Sequence, residues 1–295
     1  MIELSGLGKS YGDVHAVREL NLSVHAGEVY GFLGRNGAGK TTTMRMLLGL
    51  IRPTSGSGSV FGKPLGDPAS VARIGSLVES PAFYPHLSGR DNLRLLARYS
   101  GLGDSTVDSA LELSGLIDRA GDRFTGYSLG MKQRLGVAAA LMGDPELLIL
   151  DEPTNGLDPS GMREMRDLVR NFADNGGTVL LSSHLLGEVE HVADRIGVIH
   201  SGRLVAEGAL AEIRARVGGP RLVVRAEPGP AVETALRARP GVLGVRRTGE
   251  LVEVELGTAT AAAVNRDLVV EGFEVSELRI EERTLEDVFT GVTAA

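Results

Sequence analysis

Short apolar runs recur along the first two thirds of the chain, and most of them end at an acidic residue or a histidine. Runs this short, with apolar residues at consecutive positions, are typical of strands buried on both faces of a sheet. A helical pattern at about 160–175 separates two of the runs, so we expect strand–helix–strand units, a mostly parallel sheet and a site along its carboxyl edge. The runs are 28–33, 74–78 before Glu79, 147–150 before Asp151 and Glu152, and 178–183 before His184.

Two other patterns fill the rest of this region. Residues 1–33 alternate apolar and polar positions outside the run at 28–33, as antiparallel strands do, and the serine- and glycine-rich residues 53–59 are predicted to form a loop. From 85 to 143 the apolar spacing becomes helical, with Ser88 and Asp104 as predicted N-caps. Because this helical block interrupts the series of core strands, we interpret it as a helical subdomain beside an antiparallel β subdomain.

The pattern changes near residue 217, where two glycines and a proline break the chain. Beyond the break, alternating and helical stretches follow in the order β-α-β-β-α-β within about 60 residues, the pattern of a small split βαβ domain. The chain is therefore predicted to have two domains, 1–216 and 217–295. The predicted strands lie near 221–226, 242–247, 251–256 and 273–280, and the predicted helices near 231–239 and 258–270.

The candidate chemistry is concentrated first in residues 34–42, GRNGAGKTT, which fit the phosphate-loop pattern G-x-x-x-x-G-K-[ST]. The loop stands between a predicted strand and a helix, where backbone N–H groups and the helix N-terminus favour phosphate oxygens. A glycine turn that ends in Lys-Thr by chance is the alternative, and the flanking elements argue against it. We therefore predict a nucleoside triphosphate site formed by Gly34, Asn36, Gly37, Ala38, Gly39, Lys40, Thr41 and Thr42, with Lys40 reaching the terminal phosphates and Thr41 binding Mg²⁺.

Two adjacent acids supply what hydrolysis of such a nucleotide needs. Asp151 ends an apolar run and is the expected carboxylate for Mg²⁺, and Glu152 is the candidate general base. Adjacent strand residues point in opposite directions, so both can serve one site only where the strand ends. Pro153 is expected to end it there.

Composition narrows the function further. The net charge is −7, of which −4 lies in residues 217–295 and −3 in residues 1–216. Because neither part is basic, a general electrostatic attraction to nucleic acid is excluded. The absence of cysteine excludes disulfides and thiolate chemistry. The N-terminal residues lack the layout of a signal peptide, and no apolar run approaches the ~20 residues of a membrane span. If the protein works at a membrane, we expect another chain to bring it there.

The order of motifs resembles that of the ATP-binding subunits of ABC transporters over about residues 1–215. It comprises the phosphate loop, residues 127–134 (YSLGMKQR), residues 150–154 (LDEPT), residues 156–158 (GLD) and Ser183-His184. The resemblance implies an α/β fold with a P-loop NTPase core, ATP and Mg²⁺ as cofactors, and hydrolysis of ATP. It also implies a head-to-tail homodimer that holds two ATP molecules between the phosphate loop of one subunit and the signature motif of the other.

The resemblance also implies roles for single residues. Ser128 and Gly130 would stand at a helix N-terminus and face the partner's γ-phosphate, and Asp158 would help to join the two sites. His184 would contact the γ-phosphate. Tyr11, in a predicted turn at residues 9–12, would stack on adenine, although an aromatic residue there could also serve packing.

Two positions depart from the usual family pattern. Leu129 replaces the first glycine of the signature, and Glu79 stands where members of the family usually have glutamine beside Mg²⁺ and the attacking water. With these features the chain resembles the exporter group of bacitracin-resistance and lantibiotic-immunity ATPases, which implies export of an antimicrobial or amphipathic compound. Residues 284–289 resemble the C-terminal extension of drug-exporter ATPases, but could equally be an amphipathic end packed on the small domain.

Membrane attachment is expected through a separately encoded permease bound at about Ser80–Leu95, which would place the chain in the cytoplasm, peripheral to the inner face of the cell membrane. An exposed apolar patch in that segment is what a docking groove requires. Two alternatives stay open: a soluble ABC-type ATPase that acts on ribosomes or DNA, and a nucleotide-binding regulatory module that does not hydrolyse ATP. The chain shows neither the second cassette nor the coiled-coil pattern that ATPases acting on ribosomes or DNA usually have. The presence of Lys40, Asp151, Glu152 and His184 argues against a module that does not hydrolyse ATP.

Overall fold

A computed structural model describes residues 1–79, 81–216 and 220–281, with Leu186 and residues 214–216 defined in their backbone only. The chain divides into two compact units, Met1–Leu210 and Ala211–Ala295. This division falls after Leu210. The domain boundary expected after residue 216 stays a prediction. Residues 284–289, singled out for their resemblance to drug exporters, lie outside the described part of the chain, as does Ser80.

A six-stranded, mostly parallel sheet forms the centre of the first unit. Its strand order is β10-β9-β3-β8-β7-β6, and β10 alone among these strands runs antiparallel to its neighbour. Four of the strands follow the predicted apolar runs, and β3, β7 and β8 are buried throughout. The strands are β3 (Val29–Leu33), β6 (Ile74–Leu77), β7 (Leu147–Asp151), β8 (Thr178–Ser183), β9 (Arg195–His200) and β10 (Arg203–Ala209).

Helices connect these strands and place their carboxyl ends at one edge of the sheet. In the parallel register Asp151 lies opposite Ser182, and Leu33 lies opposite Ser183. The ends of β3, β7 and β8 are therefore neighbours, as the sequence pattern predicts. The helices of this layer are α1 (Lys40–Leu47), α2 (Pro68–Val71), α6 (Pro159–Asp174) and α7 (Leu186–Val189), and α8 (Leu210–Arg216) follows β10.

A separate four-stranded antiparallel sheet has the order β2-β1-β4-β5. It comprises β1 (Ile2–Tyr11), β2 (Val14–Val24), β4 (Ser55–Val60) and β5 (Lys63–Pro64). The prediction of a loop at 53–59 is wrong for most of that segment, because β4 pairs with β1 along its length. The glycines that suggested a loop instead permit this close approach: a Cβ on Gly58 would lie 2.6 Å from Leu4 Cδ2, and one on Gly56 would lie 2.1 Å from the Gly6 carbonyl oxygen.

The helical subdomain stands between β6 and β7 in sequence, as expected. It contains α3 (Gly89–Tyr99), α4 (Asp104–Leu113), α5 (Leu129–Leu141) and two short 3₁₀ turns, Ile117–Arg119 and Phe124–Gly126. These helices enclose an apolar cluster of their own that includes Leu93, Leu111 and Leu135. Ser88 caps α3 as predicted, but Asp104 does not cap α4: Gly103 holds the cap position and Asp104 is the first helical residue, where its charge still favours the helix dipole.

The second unit has the predicted β-α-β-β-α-β order. The sheet order is β12-β13-β11-β14, all antiparallel, and the buried leucines and valines of both helices pack with alternate strand residues in one core. Its elements are β11 (Arg221–Glu227), α9 (Gly229–Arg237), β12 (Val242–Thr248), β13 (Leu251–Leu256), α10 (Ala261–Val270) and β14 (Glu274–Glu281).

None of the helices in the described ranges is both long enough and apolar enough to cross a bilayer.

Candidate active site

The phosphate loop leads into α1 with a helix N-terminus that no side chain caps. Its cap residue is Gly39, whose φ of 113° lies in the left-handed region that favours glycine. The first N–H groups of a helix have no partner within the helix, so an uncapped N-terminus beside an open pocket is suited to bind phosphate oxygens. The local conformation thus agrees with the predicted role of residues 34–42.

Lys40 is buried, with 5% of its surface exposed, yet its ammonium group is well supplied with partners. Lys40 Nζ donates to the carbonyl oxygens of Gly34, at 2.6 Å, and Arg35, at 3.3 Å. Nζ also lies 3.0 Å from Glu152 Oε1. The ammonium is therefore fixed at the junction of the phosphate loop and the end of β7, where a terminal phosphate could replace the carboxylate as its counter-ion.

Asp151 and Thr41 meet directly across this junction. The Thr41 hydroxyl donates to Asp151 Oδ2 at 2.6 Å, and the Ser182 hydroxyl donates to Asp151 Oδ1 at 2.5 Å. Ser182 Oγ also accepts the backbone N–H of Glu152 at 2.9 Å and is fully buried. Ser182 was not among the predicted site residues, although a polar residue at the end of an apolar strand, one position before Ser183-His184, was the signal available.

Glu152 turns out of β7 with a φ of 50°, in the left-handed region. This bend allows its carboxylate to reach the same edge as that of Asp151, which a continuing strand would prevent. Glu152 Oε2 lies 2.6 Å from His184 Nδ1 and accepts the backbone N–H of His184 at 3.3 Å. Positive φ at a non-glycine residue is uncommon and is concentrated at functional sites. Five other described residues share it, so the contacts of the Glu152 carboxylate, together with its backbone, distinguish this residue.

Of these residues, Lys40, Thr41 and Glu152 line an open pocket of about 300 Å³. Its lining contains most of the predicted loop residues and one that was not predicted, Ala16; the residues are Ala16, Asn36, Gly37, Gly39, Lys40, Thr41, Thr42 and Glu152. The predicted residues Gly34 and Ala38 complete the loop from behind the pocket, Gly34 through its carbonyl bond to Lys40.

The oxygen atoms of Thr41 and Asp151 are the ligand type that Mg²⁺ prefers. Within residues 1–79, 81–216 and 220–281, no group of three or more His, Asp or Glu side chains is arranged to hold a metal ion. A pair of oxygen ligands without a complete cage suits Mg²⁺, which usually takes one or two protein ligands together with phosphates and water. The residues present therefore fit a nucleotide-associated Mg²⁺.

Two predicted residues, Tyr11 and Glu79, are not in the lining of this pocket. Tyr11 ends β1 instead of forming part of a turn; half of its surface is exposed, and Lys9 Nζ stands 5.1 Å from the centre of its ring. Glu79 has a left-handed backbone, with a φ of 68°, and its carboxylate pairs with the Arg45 guanidinium. Arg45 lies on α1 four residues after Thr41, so this ion pair ties Glu79 to the helix that follows the phosphate loop.

Ser128, Gly130 and Asp158 form the N-terminal ends of two other helices. Ser128 is exposed and caps α5, accepting the backbone N–H of Met131 at 3.2 Å. Asp158 caps α6 by accepting the backbone N–H of Gly161 at 2.9 Å. Neither cap lines the phosphate-loop pocket of its own chain, and their service to a second subunit stays a prediction.

Comparison with known proteins bears on both units of the chain. The family model described as "ABC transporter" matches residues 17–155, and the one described as "ATP-binding protein DrrA1-3-like, C-terminal domain" matches residues 208–293. The chain is 39% identical to the bacitracin transport ATP-binding protein BcrA of Enterococcus faecalis, over 98% of this chain and 95% of that protein. It is 42% identical to the lantibiotic transport ATP-binding protein SrtF of Streptococcus pyogenes, over 70% of this chain and 90% of that protein.

A solved structure described as the ATP-binding subunit of an ABC transporter superposes with a TM-score of 0.66 at 30% identity, over 73% of this chain and 92% of that one. The expected P-loop NTPase fold is thereby confirmed. The chain belongs to the ATP-binding, ATP-hydrolysing subunits of ABC transporters.

Proposed function

We propose that this chain powers a membrane exporter of an antimicrobial peptide, a drug or another amphipathic compound. It would act as a head-to-tail homodimer bound to a separately encoded permease, at the inner face of the cell membrane. The observation that carries the catalytic part is the contact of Glu152 with both Lys40 and His184, 3.0 and 2.6 Å away, beside the Thr41–Asp151 pair. This cluster joins a phosphate-binding cation, a base and metal-binding oxygens at one sheet edge.

Within the cluster, Glu152 is the general base for the attacking water and His184 contacts the γ-phosphate. Thr41 and Asp151 would hold Mg²⁺, which neutralises charge on the phosphates when it is bound. Ser182 keeps the Asp151 carboxylate in place through its 2.5 Å hydrogen bond. Glu79, now paired with Arg45, would orient water or join the metal ligands, and Tyr11 would stack on adenine from the exposed end of β1.

Gly130 supports the dimer because nothing in the described part of its own chain requires a glycine there. Its backbone is helical, and an added Cβ would meet only Leu157 Cδ2 at 3.7 Å and Ser128 Oγ at 3.9 Å, both ordinary contacts. Glycine in a helix is less favourable than alanine by about 1 kcal/mol. Close approach by a group from outside the chain, such as the partner's nucleotide, is the reason we infer for this cost, and Asp158 at the neighbouring helix start would join the two sites.

The described part of the segment at Ser80–Leu95 has the anchored, exposed character that permease binding needs. Phe83 packs edge-to-face on Phe124, with ring centres 5.3 Å apart, while about half of Tyr84 is exposed. Asn92 is buried and clamps the Tyr84 backbone, accepting its N–H at 2.8 Å and donating to its carbonyl oxygen at 3.1 Å. The exposed aromatic ring is therefore presented on a fixed backbone.

The type of cargo is inferred from the names of the relatives, one a bacitracin and the other a lantibiotic transport protein. The test is to express the chain with a candidate permease in sensitive bacteria and to measure the inhibitory concentrations of bacitracin and of a lantibiotic. We expect a severalfold rise for at least one compound with the native chain, and no rise with the Glu152→Gln variant. Equal resistance with both chains would refute export driven by this site, and no resistance to either compound would refute this class of cargo for the permease used.

A further inference from the structure

The first turn of α5 and the loop after Glu152 interlock through two leucine–glycine pairs. A Cβ added to Gly156 would lie 2.6 Å from Leu129 Cδ2, so the leucine methyl group rests directly on the glycine backbone. In the opposite direction, a Cβ added to Gly130 would lie 3.7 Å from Leu157 Cδ2. The sequence Leu-Gly on the helix thus meets Gly-Leu on the loop, and each leucine covers the other segment's glycine.

The loop between Glu152 and Asp158 depends on this packing because it has few internal bonds. Asn155 N–H donates to the Glu152 carbonyl oxygen at 3.0 Å, and Leu157 N–H donates to that of Thr154 at 3.2 Å. Leu157 is buried, with 7% of its surface exposed, whereas Leu129 covers the loop from outside and remains 51% exposed. Leu129 occupies the signature position where the family usually has glycine, so a glycine there would leave the outer side of Gly156 uncovered.

We propose that Leu129 is a positioning residue, which fixes the loop from Glu152 to Asp158 against the signature helix of the same chain. The functional half of this inference rests on the proposed dimer. There, Glu152 serves the chain's own nucleotide, whereas Ser128 and Gly130 serve the partner's. The interlock joins these parts within one rigid contact, so a displacement of the signature by the partner's nucleotide moves the loop that carries Glu152.

The structural half is tested by hydrogen exchange of the full-length chain without added nucleotide. In Leu129→Ala we expect the backbone amides of 154–158 to exchange about tenfold faster than in the native chain, the factor that corresponds to losing part of a leucine contact. Leu129→Met keeps an apolar side chain of similar reach and is expected to restore protection. Leu113→Ala, which removes another largely exposed helical leucine, is the matched control and should leave these amides unchanged. Unaltered exchange in Leu129→Ala would overturn the proposal.

A double-mutant cycle tests the contact itself. Alanine at position 156 is strained by the left-handed backbone, with a φ of 74°, in any background, but it collides with a side chain only when Leu129 is present. Gly156→Ala should therefore accelerate exchange of the loop less in Leu129→Ala than in the native chain. Equal effects in the two backgrounds would show that Leu129 does not bear on Gly156 and would contradict the proposal.

The functional half is read from steady-state ATP hydrolysis by the same variants. Leu129→Ala should lower kcat about tenfold, with a KM for ATP close to that of the native chain, because the phosphate loop is untouched; Leu129→Met should recover kcat. Faster exchange with unchanged kcat would overturn the functional half. Lost turnover with unchanged exchange would instead show a direct role of Leu129 at the partner's nucleotide. If Glu152→Gln formed no ATP-dependent dimer either alone or with its permease, the proposed assembly would fail, while the exchange experiments would still decide on the interlock.

Discussion

Glu152 satisfies two requirements that a regular strand could not meet together. Its carboxylate touches Lys40 and His184, while Asp151, immediately before it, bonds to Thr41. The left-handed φ of 50° at Glu152 brings adjacent side chains to one edge, and the bond from its N–H to the buried Ser182 hydroxyl holds that conformation. Strain at this single residue is thus compensated by a neighbouring strand, and it places the Glu152 carboxylate in the cluster.

The Glu152→Gln variant is expected to bind ATP and to hydrolyse it at least about 100-fold more slowly. The amide keeps the size of the side chain and its approach to Lys40 and His184 but cannot accept a proton from water, and general bases commonly contribute 10²–10⁴-fold. Turnover is measured by phosphate release and affinity by a fluorescent ATP analogue. Glu146→Gln, an exposed carboxylate paired with Arg73, is the matched control. Undiminished hydrolysis by Glu152→Gln would refute the role of Glu152.

The Ser182→Ala variant should lose both stability and activity. Removing the hydroxyl leaves the Glu152 N–H without its partner in a buried position and frees one oxygen of Asp151, a loss of about 1–3 kcal/mol. Urea unfolding measures the stability, and phosphate release measures the turnover. Ser70→Ala removes another buried hydroxyl, one that donates to the Val60 carbonyl oxygen away from the site, and should affect stability alone. Equal turnover in the two variants would show that Ser182 is merely structural.

The sequence predicts best those strands and helices whose burial follows from the pattern of their own residues. The strands that end at Asp151 and before His184 have apolar centres, are buried throughout and lie close to their predicted bounds, and the order of elements in 220–281 is also as predicted. The strand Ser55–Val60 was missed because its glycines are explained only by β1 lying against them. The pairing of Glu79 with Arg45 and the role of Ser182 were likewise hidden, since each depends on a neighbour more than 30 residues away.

The two glycines of α5, Gly130 and Gly136, test whether packing within the chain requires a glycine at each position. Gly130→Ala should be as stable as the native chain or more stable, by up to about 1 kcal/mol, since its Cβ would meet only ordinary contacts. Gly136→Ala should be destabilised, because its Cβ would lie 2.9 Å from both Leu77 Cδ1 and Pro81 Cγ. Thermal unfolding distinguishes the two.

ATP hydrolysis adds the functional part of that comparison. If Gly130 leaves room for the partner's nucleotide, Gly130→Ala should lose most of its turnover despite its intact fold. A stable Gly130→Ala chain with normal turnover would remove the argument that an outside group approaches this glycine.

At the scale of the whole molecule, one pocket holds only part of what the family's reaction uses. The phosphate loop and Glu152 line it, whereas the Ser128 cap at the start of α5 does not. A subunit with a complete site would place these groups around one nucleotide. The proposed dimer, in which a second copy of the chain would supply the signature, offers one explanation for both their separation and Gly130.

The dimer is tested with Glu152→Gln, which should retain ATP long enough to be observed. By size-exclusion chromatography with light scattering, we expect a mass of 31.1 kDa without nucleotide and twice 31.1, or 62.2 kDa, with Mg·ATP. Adding Ser128→Asp should abolish the shift, because aspartate still caps α5 but sets a negative charge against the partner's γ-phosphate. A dimer in both conditions would point to a contact independent of ATP, for which the unit Ala211–Ala295 is the candidate. A monomer in both would mean that the permease must bring the two chains together or that the sandwich is wrong.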